Sequence, residues 1–427
     1  MNIAAGKIAS AAPTLWARVR LQLGVGLLLA VLLPWGVRVW LERTELDWIG
    51  LQNSLIGTLL AVVAGYYSFR RLSRYPGVRS SHHILPSFAA SFGIVLAFFF
   101  FTRLPYSRVQ FLASFGFSIL WYYVVYFKLQ RQQRLTIGVV PFGGIQSLLS
   151  VADVNWVQLR HDDPYPDRYP VIVADLRSDI PDEWERFLAD RALKGTLVMH
   201  VKQMEESLTG RVAIEHLSEN TLGSLIPGIV FGKFKRAGDL LTALIAFPLM
   251  APFLVAVALW IRFDSPGPIL FRQQRMGYRG QPFTMYKFRS MRHAAIEAED
   301  ARFAAMTRSE DDRVTRVGRI IRHYRIDELP QVFNVIRGEM SWIGPRPEAV
   351  PLSLWYESEL PFYRYRHIVR PGITGWAQVK QGHVADVDEV LWKLHYDFYY
   401  IKNFSFWLDL LIVARTIRTI LSGFGAR

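Results

Sequence analysis

Apolar residues run almost without interruption through residues 21–37, 49–69, 84–102 and 109–127. Each stretch approaches the roughly 20 residues that a helix needs to cross a bilayer. None shows the polar face expected of a helix on the surface of a soluble bundle. Trp and Tyr stand near several of the ends, where amphipathic rings favour the membrane interface. The pattern predicts four transmembrane helices within residues 1–133. It then changes. Short apolar runs at residues 136–140, 156–159, 171–174 and 196–199 alternate with helix candidates at 145–152, 182–192 and 203–208. Strand and helix in alternation predict a small Rossmann-like α/β domain with a parallel sheet over residues 134–232.

A fifth apolar stretch, residues 240–261, is long enough to span but has Pro248 and Pro252 in its middle. Proline removes a backbone hydrogen bond and clashes with the preceding turn. Lys233, Lys235 and Arg236 precede the stretch, and Arg262, Arg272 and Arg275 follow it. Basic flanks at both ends argue for a broken helix, residues 237–262, that enters the membrane and returns; a kinked fifth span is the alternative. Residues 233–427 are basic and aromatic. Near their end, residues 404–421 place Phe404, Trp407, Leu408, Leu411 and Ile412 on one stripe. That stripe suits an amphipathic helix in the interface, or one packed on the domain core.

Charge fixes an orientation. Lys7, Arg18 and Arg20 precede the first span without an acid, whereas Arg38 and Arg43 in the first loop face Glu42, Glu45 and Asp47. Arg70, Arg71, Arg74 and Arg79 fill the second loop, and Lys128, Arg131 and Arg134 follow the fourth span. The positive-inside rule therefore puts the N-terminus and everything after residue 128 in the cytoplasm. No signal-peptide cleavage site is evident, and the first apolar run reads as retained. The whole chain carries +14 with 51% apolar and 14% aromatic residues. This combination suits anionic headgroups or phosphorylated substrates, with membrane lipids rather than nucleic acid as the partner. With no cysteine, disulfides and thiolate metal sites are excluded.

Candidate chemistry gathers in residues 287–376. Val317, Ile320, Ile321 and Tyr324 form a helical stripe among Arg316, Arg319, Arg322 and Arg325, and that helix is expected to end near Ile326. A second is expected to start at Asp327-Glu328-Leu329-Pro330. Asp327 there suits an N-cap and Pro330 a first turn. The same place suits adjacent carboxylates that hold a metal ion and attack phosphorus, and capping does not exclude catalysis. Two prolines stiffen the chain around Arg346 in Gly344-Pro345-Arg346-Pro347-Glu348, which suits a bidentate phosphate contact and equally a rigid turn with a solvated arginine. Tyr286-Lys287-Phe288-Arg289-Ser290-Met291 reads as a strand with Lys287 and Arg289 on one face. Arg370-Pro371-Gly372-Ile373-Thr374-Gly375-Trp376 is turn chemistry around an arginine and an aromatic. Gly138, Gly143 and Gly144 follow the first strand of the α/β domain without a nucleotide fingerprint, so a plain turn is expected there.

These motifs, together with Lys235-Arg236-Ala237-Gly238-Asp239 and Ser265-Pro266-Gly267-Pro268, occur in an order that resembles the bacterial sugar transferase family of monotopic phosphoglycosyl transferases. The resemblance covers residues 234–427. The spans and α/β domain are similar in architecture to larger members that load galactose or glucose phosphate onto undecaprenyl phosphate. It implies transfer of a hexose 1-phosphate from a UDP-hexose, UDP-glucose or UDP-galactose, to undecaprenyl phosphate. UMP would be released through a covalent aspartyl-phosphosugar intermediate, opening exopolysaccharide, capsule or O-antigen synthesis. It assigns Asp327 as nucleophile and Glu328 as its partner in binding Mg²⁺. Arg346 and Arg322 would serve phosphate, with Lys287, Arg289 and Arg370 as further substrate-binding candidates. Pro252 would break the re-entrant helix, although the family's Ser-Pro is Ala251-Pro252 here and Pro248 can share the break. The resemblance further implies a bacterial inner membrane location, an active site facing the cytoplasm, a homodimer and a modulatory or assembly role for the α/β domain. A membrane scaffold or regulator with a nucleotide-sensing α/β domain is the rival reading.

Overall fold

The computed structural model describes residues 18–41, 47–72, 81–132, 136–151, 154–160, 169–214, 227–292, 313–381 and 387–422. Of the charges used for orientation, Lys7, Glu42, Arg43, Glu45, Arg74, Arg79 and Arg134 lie outside those residues. The chain divides into two compact units, residues 1–210 and 211–427.

The first unit opens with four helices. They are α1 (Val19–Leu41, with a π-helical turn at Leu28–Leu32), α2 (Trp48–Leu72), α3 (Ser81–Thr102) and α4 (Arg108–Gln132). All four are long and apolar enough to cross a membrane, as is one further helix described below. Their shared core holds Ala30, Ala61, Val62, Phe88 and Tyr122, and the Phe88 and Tyr122 rings stack 4.8 Å apart. Some polar groups inside are satisfied within their own helix, as Thr58 Oγ1 donates to the Ser54 carbonyl at 2.8 Å and Ser54 Oγ to that of Gly50 at 2.7 Å, and others across helices, as Tyr66 Oη donates to Gln22 Oε1 at 3.0 Å. Large side chains such as Ile94, Phe100 and Phe101 point outward. A hydrocarbon surrounding accounts for that inversion, because lipid solvates those groups and internal bonding satisfies the backbone.

Four parallel strands follow, β1 (Thr136–Val139), β2 (Asn155–Gln158), β3 (Val171–Ala174) and β4 (Leu197–His200), in the order β2-β1-β3-β4. Each lies within a residue of its expected place. Buried on both faces, β3 is the continuous apolar run such a sheet requires. Helices α5 (Asp182–Leu193) and α6 (Val201–Thr209) pack on it, whereas the helix expected at residues 145–152 is a single turn, Gln146–Leu149. The glycine turn after β1 is closed by the protein itself. Gly143 has φ +75°, and the Gly144 N–H donates to Asp175 Oδ2 at 2.9 Å.

The second unit is organised around α7, a helix of 36 residues, Ile229–Asp264. Pro248 and Pro252 lie inside it and do not divide it into separate elements, and it overruns the expected 237–262 at both ends. On it pack a hairpin, β5 (Leu270–Met276) and β6 (Pro282–Phe288), and helices α8 (Arg316–His323) and α9 (Val332–Arg337). Two short parallel strands, β7 (Ser341–Ile343) and β8 (Gly372–Thr374), carry the next motifs. Then come α10 (Val350–Glu359), the short α11 (Trp376–Lys380), α12 (Val387–Lys402) and α13 (Phe406–Ser422).

Both halves of α7 dock on the same unit. At its N-terminal end, Arg236 donates to the carbonyls of Val335 (2.6 Å) and Ile336 (3.0 Å) in the last turn of α9. Lys235 pairs with Asp409 at 2.8 Å, and Asp239 accepts from Ser341 Oγ at 2.7 Å. Ala243 lies in the core beneath Met285, Val332 and Val335. Toward its C-terminal end, Leu254, Val257 and Ile261 pack on Phe288, Val317 and Ile321. The opposite face leaves Leu241, Leu249, Phe253 and Phe263 exposed.

The stripe read in residues 404–421 takes the second of its two readings. Leu408, Leu411 and Ile412 are fully buried in the unit, and the exposed apolar side chains of α13 are Phe406, Val413 and Ile417. Core and lipid ask for the same side chains, so period alone does not separate them.

Candidate active site

Asp327 and Glu328 do not begin an α-helix. Helix α8 stops at His323, Arg325 takes a left-handed backbone with φ 55°, and residues Ile326–Gln331 form a 3₁₀ turn that leads into α9. The expected N-cap is therefore corrected: no side-chain cap bond starts this turn, and its cap position is held by Arg325. A tighter helix suits Pro330, which has no N–H to give an α-helical ladder. The reversal at Arg325 turns both carboxylates inward, leaving Asp327 9% and Glu328 7% exposed.

Glu328 sits among cations. Arg346 Nη2 reaches its Oε1 at 2.7 Å, Lys287 Nζ the same oxygen at 3.5 Å, and Arg325 Nη1 its Oε2 at 3.9 Å. Burial disfavours the Glu328 charge, but Arg346 and Lys287 prevail and hold its carboxyl well below the usual range. Asp327 is treated differently by the same pocket. Burial and the adjacent Glu328 charge push it up to about 6, against the pull of Lys287, Arg346 and Arg322. No hydrogen bond or ion pair of the Asp327 carboxylate occurs among the described residues. One carboxylate is thus neutralised and fixed, and its neighbour is left available. Two neighbouring acids driven apart in this way are suited to different chemical tasks. Burial also pulls the Lys287 ammonium down to about 8, opposed by Glu328.

The loop that presents Arg346 is held by buried ions. Arg275 Nη1 donates to the Pro347 carbonyl at 2.9 Å, and Glu348 accepts from Lys393 and lies 3.8 Å from Arg275. Arg366 Nη2 donates to the carbonyl of Arg346 itself at 2.9 Å, and to Asp397 Oδ2 at 2.8 Å. Gly344 runs so close to the segment leading into β8 that a Cβ there would clash with the Arg370 carbonyl. Arg346 is positioned by its backbone before any ligand arrives, which lowers the cost of ordering it.

The structure brings Asp327, Glu328, Lys287 and Arg346 together, with Arg322 near enough to act on Asp327 through its charge. It does not bring Arg289 or Arg370 to them. β6 ends at Phe288, so Lys287 and Arg289 do not share a strand face. The Arg289 guanidinium instead caps the end of α7, donating to the Ser265 carbonyl at 2.6 Å, Ser265 Oγ at 3.0 Å and the Pro266 carbonyl at 3.0 Å. Arg370 donates to the Gly338 carbonyl at 2.9 Å and lies over the Tyr278 ring. Both satisfy helix-terminal or turn carbonyls, a structural use of arginine that looks the same in sequence as phosphate binding. Sequence reasoning assigned no role to Arg366, Lys393 or Asp397. Their ion-pair partners lie 31 and 45 residues away in the chain, and only the quoted motif containing Glu348 hinted at one of them. Arg325 was named only among the arginines of its helix, and its partner Glu328 is three residues on.

Among the described residues no group of three or more acids and histidines gathers at metal-binding range. Mg²⁺ does not need one, because it is commonly held by one or two carboxylates, water and substrate phosphates. The open oxygens of Asp327, with Glu328 beside it, fit that donor set.

Comparison with known proteins agrees with the motif order. The family described as bacterial sugar transferase matches residues 231–423. A UDP-N-acetylgalactosamine-undecaprenyl-phosphate N-acetylgalactosaminephosphotransferase of Aeromonas hydrophila is 46% identical over 410 residues, covering 94% of this chain and 95% of that protein. A UDP-glucose:undecaprenyl-phosphate glucose-1-phosphate transferase of Caulobacter vibrioides is 43% identical over 202 residues, 47% of this chain and 74% of that protein. An exopolysaccharide production protein, PSS, of Rhizobium leguminosarum is 42% identical over 188 residues, 43% of this chain and 92% of that protein.

Proposed function

The chain belongs to the bacterial sugar transferase family, and from that premise we propose that it transfers a sugar 1-phosphate from a UDP-sugar to undecaprenyl phosphate with Asp327 as nucleophile. The observation that carries the reading is the split between the two carboxylates: Glu328 tied to Arg346 and Lys287, and Asp327 without a partner among the described residues. An ionised Asp327 oxygen attacks the β-phosphorus of the donor. The bond from that phosphorus to the oxygen bridging to the α-phosphorus breaks, and UMP leaves with the electron pair. A phosphosugar remains on Asp327. An oxygen of undecaprenyl phosphate then attacks the same phosphorus and the Asp327 carboxylate departs, giving undecaprenyl diphosphate sugar. No proton need move in either step. Lys287 and Arg346 offset the charge of two anionic reactants and of the transition state between them. Asp327 and Glu328 would hold Mg²⁺, which neutralises diphosphate oxygens when bound.

UDP-N-acetylgalactosamine is the donor this reading favours over UDP-glucose or UDP-galactose. The relative whose match covers nearly the whole chain bears that sugar in its name, and the glucose transferase matches less than half of it. UMP release across a panel of nucleotide sugars tests the reading, and its pH profile tests the site. Attack requires ionised Asp327, so kcat/KM should fall as pH drops through about 6. Phosphate attraction requires charged Lys287, so it should fall again as pH rises through about 8. The acid limb belongs to the coupled pair rather than to Asp327 alone. No UMP from any donor would overturn the function, and a flat profile from pH 5 to pH 9 would overturn the roles of Asp327 and Lys287.

For topology, the reading keeps re-entry of α7 at the cytoplasmic face of the inner membrane. Support comes from the docking of both its halves on one unit and from its exposed apolar face. A reporter fused after residue 427 is expected in the cytoplasm; a periplasmic signal would exclude re-entry.

A further inference from the structure

Beside Glu328 lies a cleft of about 190 Å³. Its lining joins the charged Arg325 and Glu328 to the apolar Leu329, Trp342, Ile373 and Val379, with Thr374 and Gln378 adding polar groups. Its other boundaries include Tyr324 on the segment after α8 and Thr416 and Thr419 on α13. A dry cavity of about 150 Å³ lined by aliphatic and aromatic groups admits a hydrocarbon the size of benzene. This cleft exceeds that volume.

The lining and its surroundings combine two chemistries that name an occupant. Around Glu328, the three cations Arg325, Lys287 and Arg346 outnumber the charges of Glu328 and Asp327, an excess of positive charge that suits an anionic head. Tyr324 in the lining is exposed, as is Ile320 one turn before it, and Ile417 is exposed on α13 beside Thr416 and Thr419. The cleft therefore brings Glu328 and exposed apolar surface to one place. A nucleoside would leave those apolar walls facing a polar base and ribose. A branched hydrocarbon ending in phosphate matches the walls and the cations together.

Building on the transferase reading, we propose that this cleft seats the isoprene units nearest the phosphate of the polyprenyl acceptor, and that Leu329, Trp342, Ile373 and Val379 set which lipid phosphate is accepted. The seat serves the second half-reaction and not the first. The two half-reactions can be read separately, because UMP leaves before the lipid reacts.

The test is a graded series, Val379→Leu, Val379→Phe and Val379→Trp, in the full chain reconstituted in lipid nanodiscs. UDP-N-acetylgalactosamine added alone gives a burst of UMP, and undecaprenyl phosphate added afterwards gives transfer. The burst is expected to stay within about twofold of wild type. Transfer should fall with side-chain size, by about tenfold or more at Trp with a rising KM for the lipid, the scale on which hydrophobic pockets discriminate. A burst that shrinks in step with side-chain size would assign the cleft to the donor and overturn the proposal. A series in which burst and transfer both match wild type would show that the cleft takes no substrate. Absence of any burst in the wild type would count instead against the transferase reading on which the proposal rests.

Discussion

Asp327→Asn is expected to lower both UMP release and transfer by at least about 10³-fold while leaving the fold intact. Asparagine has nearly the same shape but no charge to deliver to phosphorus. The stability half of the expectation follows from the sign of the pKa shift. Burial and Glu328 raise the folded-state pKa of Asp327 above its ordinary value, so the folded chain holds that proton more tightly than the unfolded chain does. Above about pH 6 the ionised carboxylate therefore works against folding, and replacing it relieves that cost. The variant should melt at or above the wild-type temperature and be inactive. A variant that melts lower, or that retains substantial turnover, would contradict the assignment of Asp327 as a destabilised, reactive group.

Asp397→Ala should produce the largest loss of stability. Arg366 and Asp397 have side chains only 2% exposed and are joined at 2.8 Å and 3.1 Å. Arg366 also donates to the Tyr363 hydroxyl at 2.7 Å and to the Arg346 carbonyl. Removing the carboxylate strands a buried guanidinium, which costs about 3–5 kcal/mol. For a unit of this size that lowers the melting temperature by roughly 10 °C. Replacing both partners, Arg366→Met with Asp397→Leu, removes the stranded charge and should recover much of the stability. It should not recover activity, because the Arg346 carbonyl loses its anchor. Thermal unfolding and UMP release measured on the single and double variants separate the two effects. Unchanged melting of Asp397→Ala would show that the ion pair is not what holds the loop.

The contrast between these residues shows what one chain of letters discloses. Four apolar helices and the strands of the parallel sheet were legible from the length of each apolar run and from the alternation of the elements. Asp327 and Glu328 were legible as a site through the order of the surrounding motifs. Their local geometry was not: it includes Arg325 in a left-handed backbone that propensity disfavours, and a pairing of Glu328 with Lys287, 41 residues earlier. Arg289 and Arg346 look alike in sequence, each an arginine in a short motif. One caps α7 and the other grips Glu328, and that difference arises only when distant segments meet. The α13 stripe was ambiguous for a chemical reason, since Leu408, Leu411 and Ile412 would serve lipid as well as they serve the core. Arg366 and Asp397 stand 31 residues apart in an unremarkable aromatic stretch and carry no local signal of their pairing.

The central claim is that the sugar phosphate is carried for a time on Asp327. Full-length protein in lipid nanodiscs, supplied with UDP-N-acetylgalactosamine and no lipid acceptor, should release one UMP per active site. Peptide mass spectrometry should then find the phosphosugar on Asp327, and undecaprenyl phosphate should discharge it. UMP release that occurs only when the lipid acceptor is present, with Asp327 unmodified throughout, would mean direct transfer between the two substrates and would contradict the account.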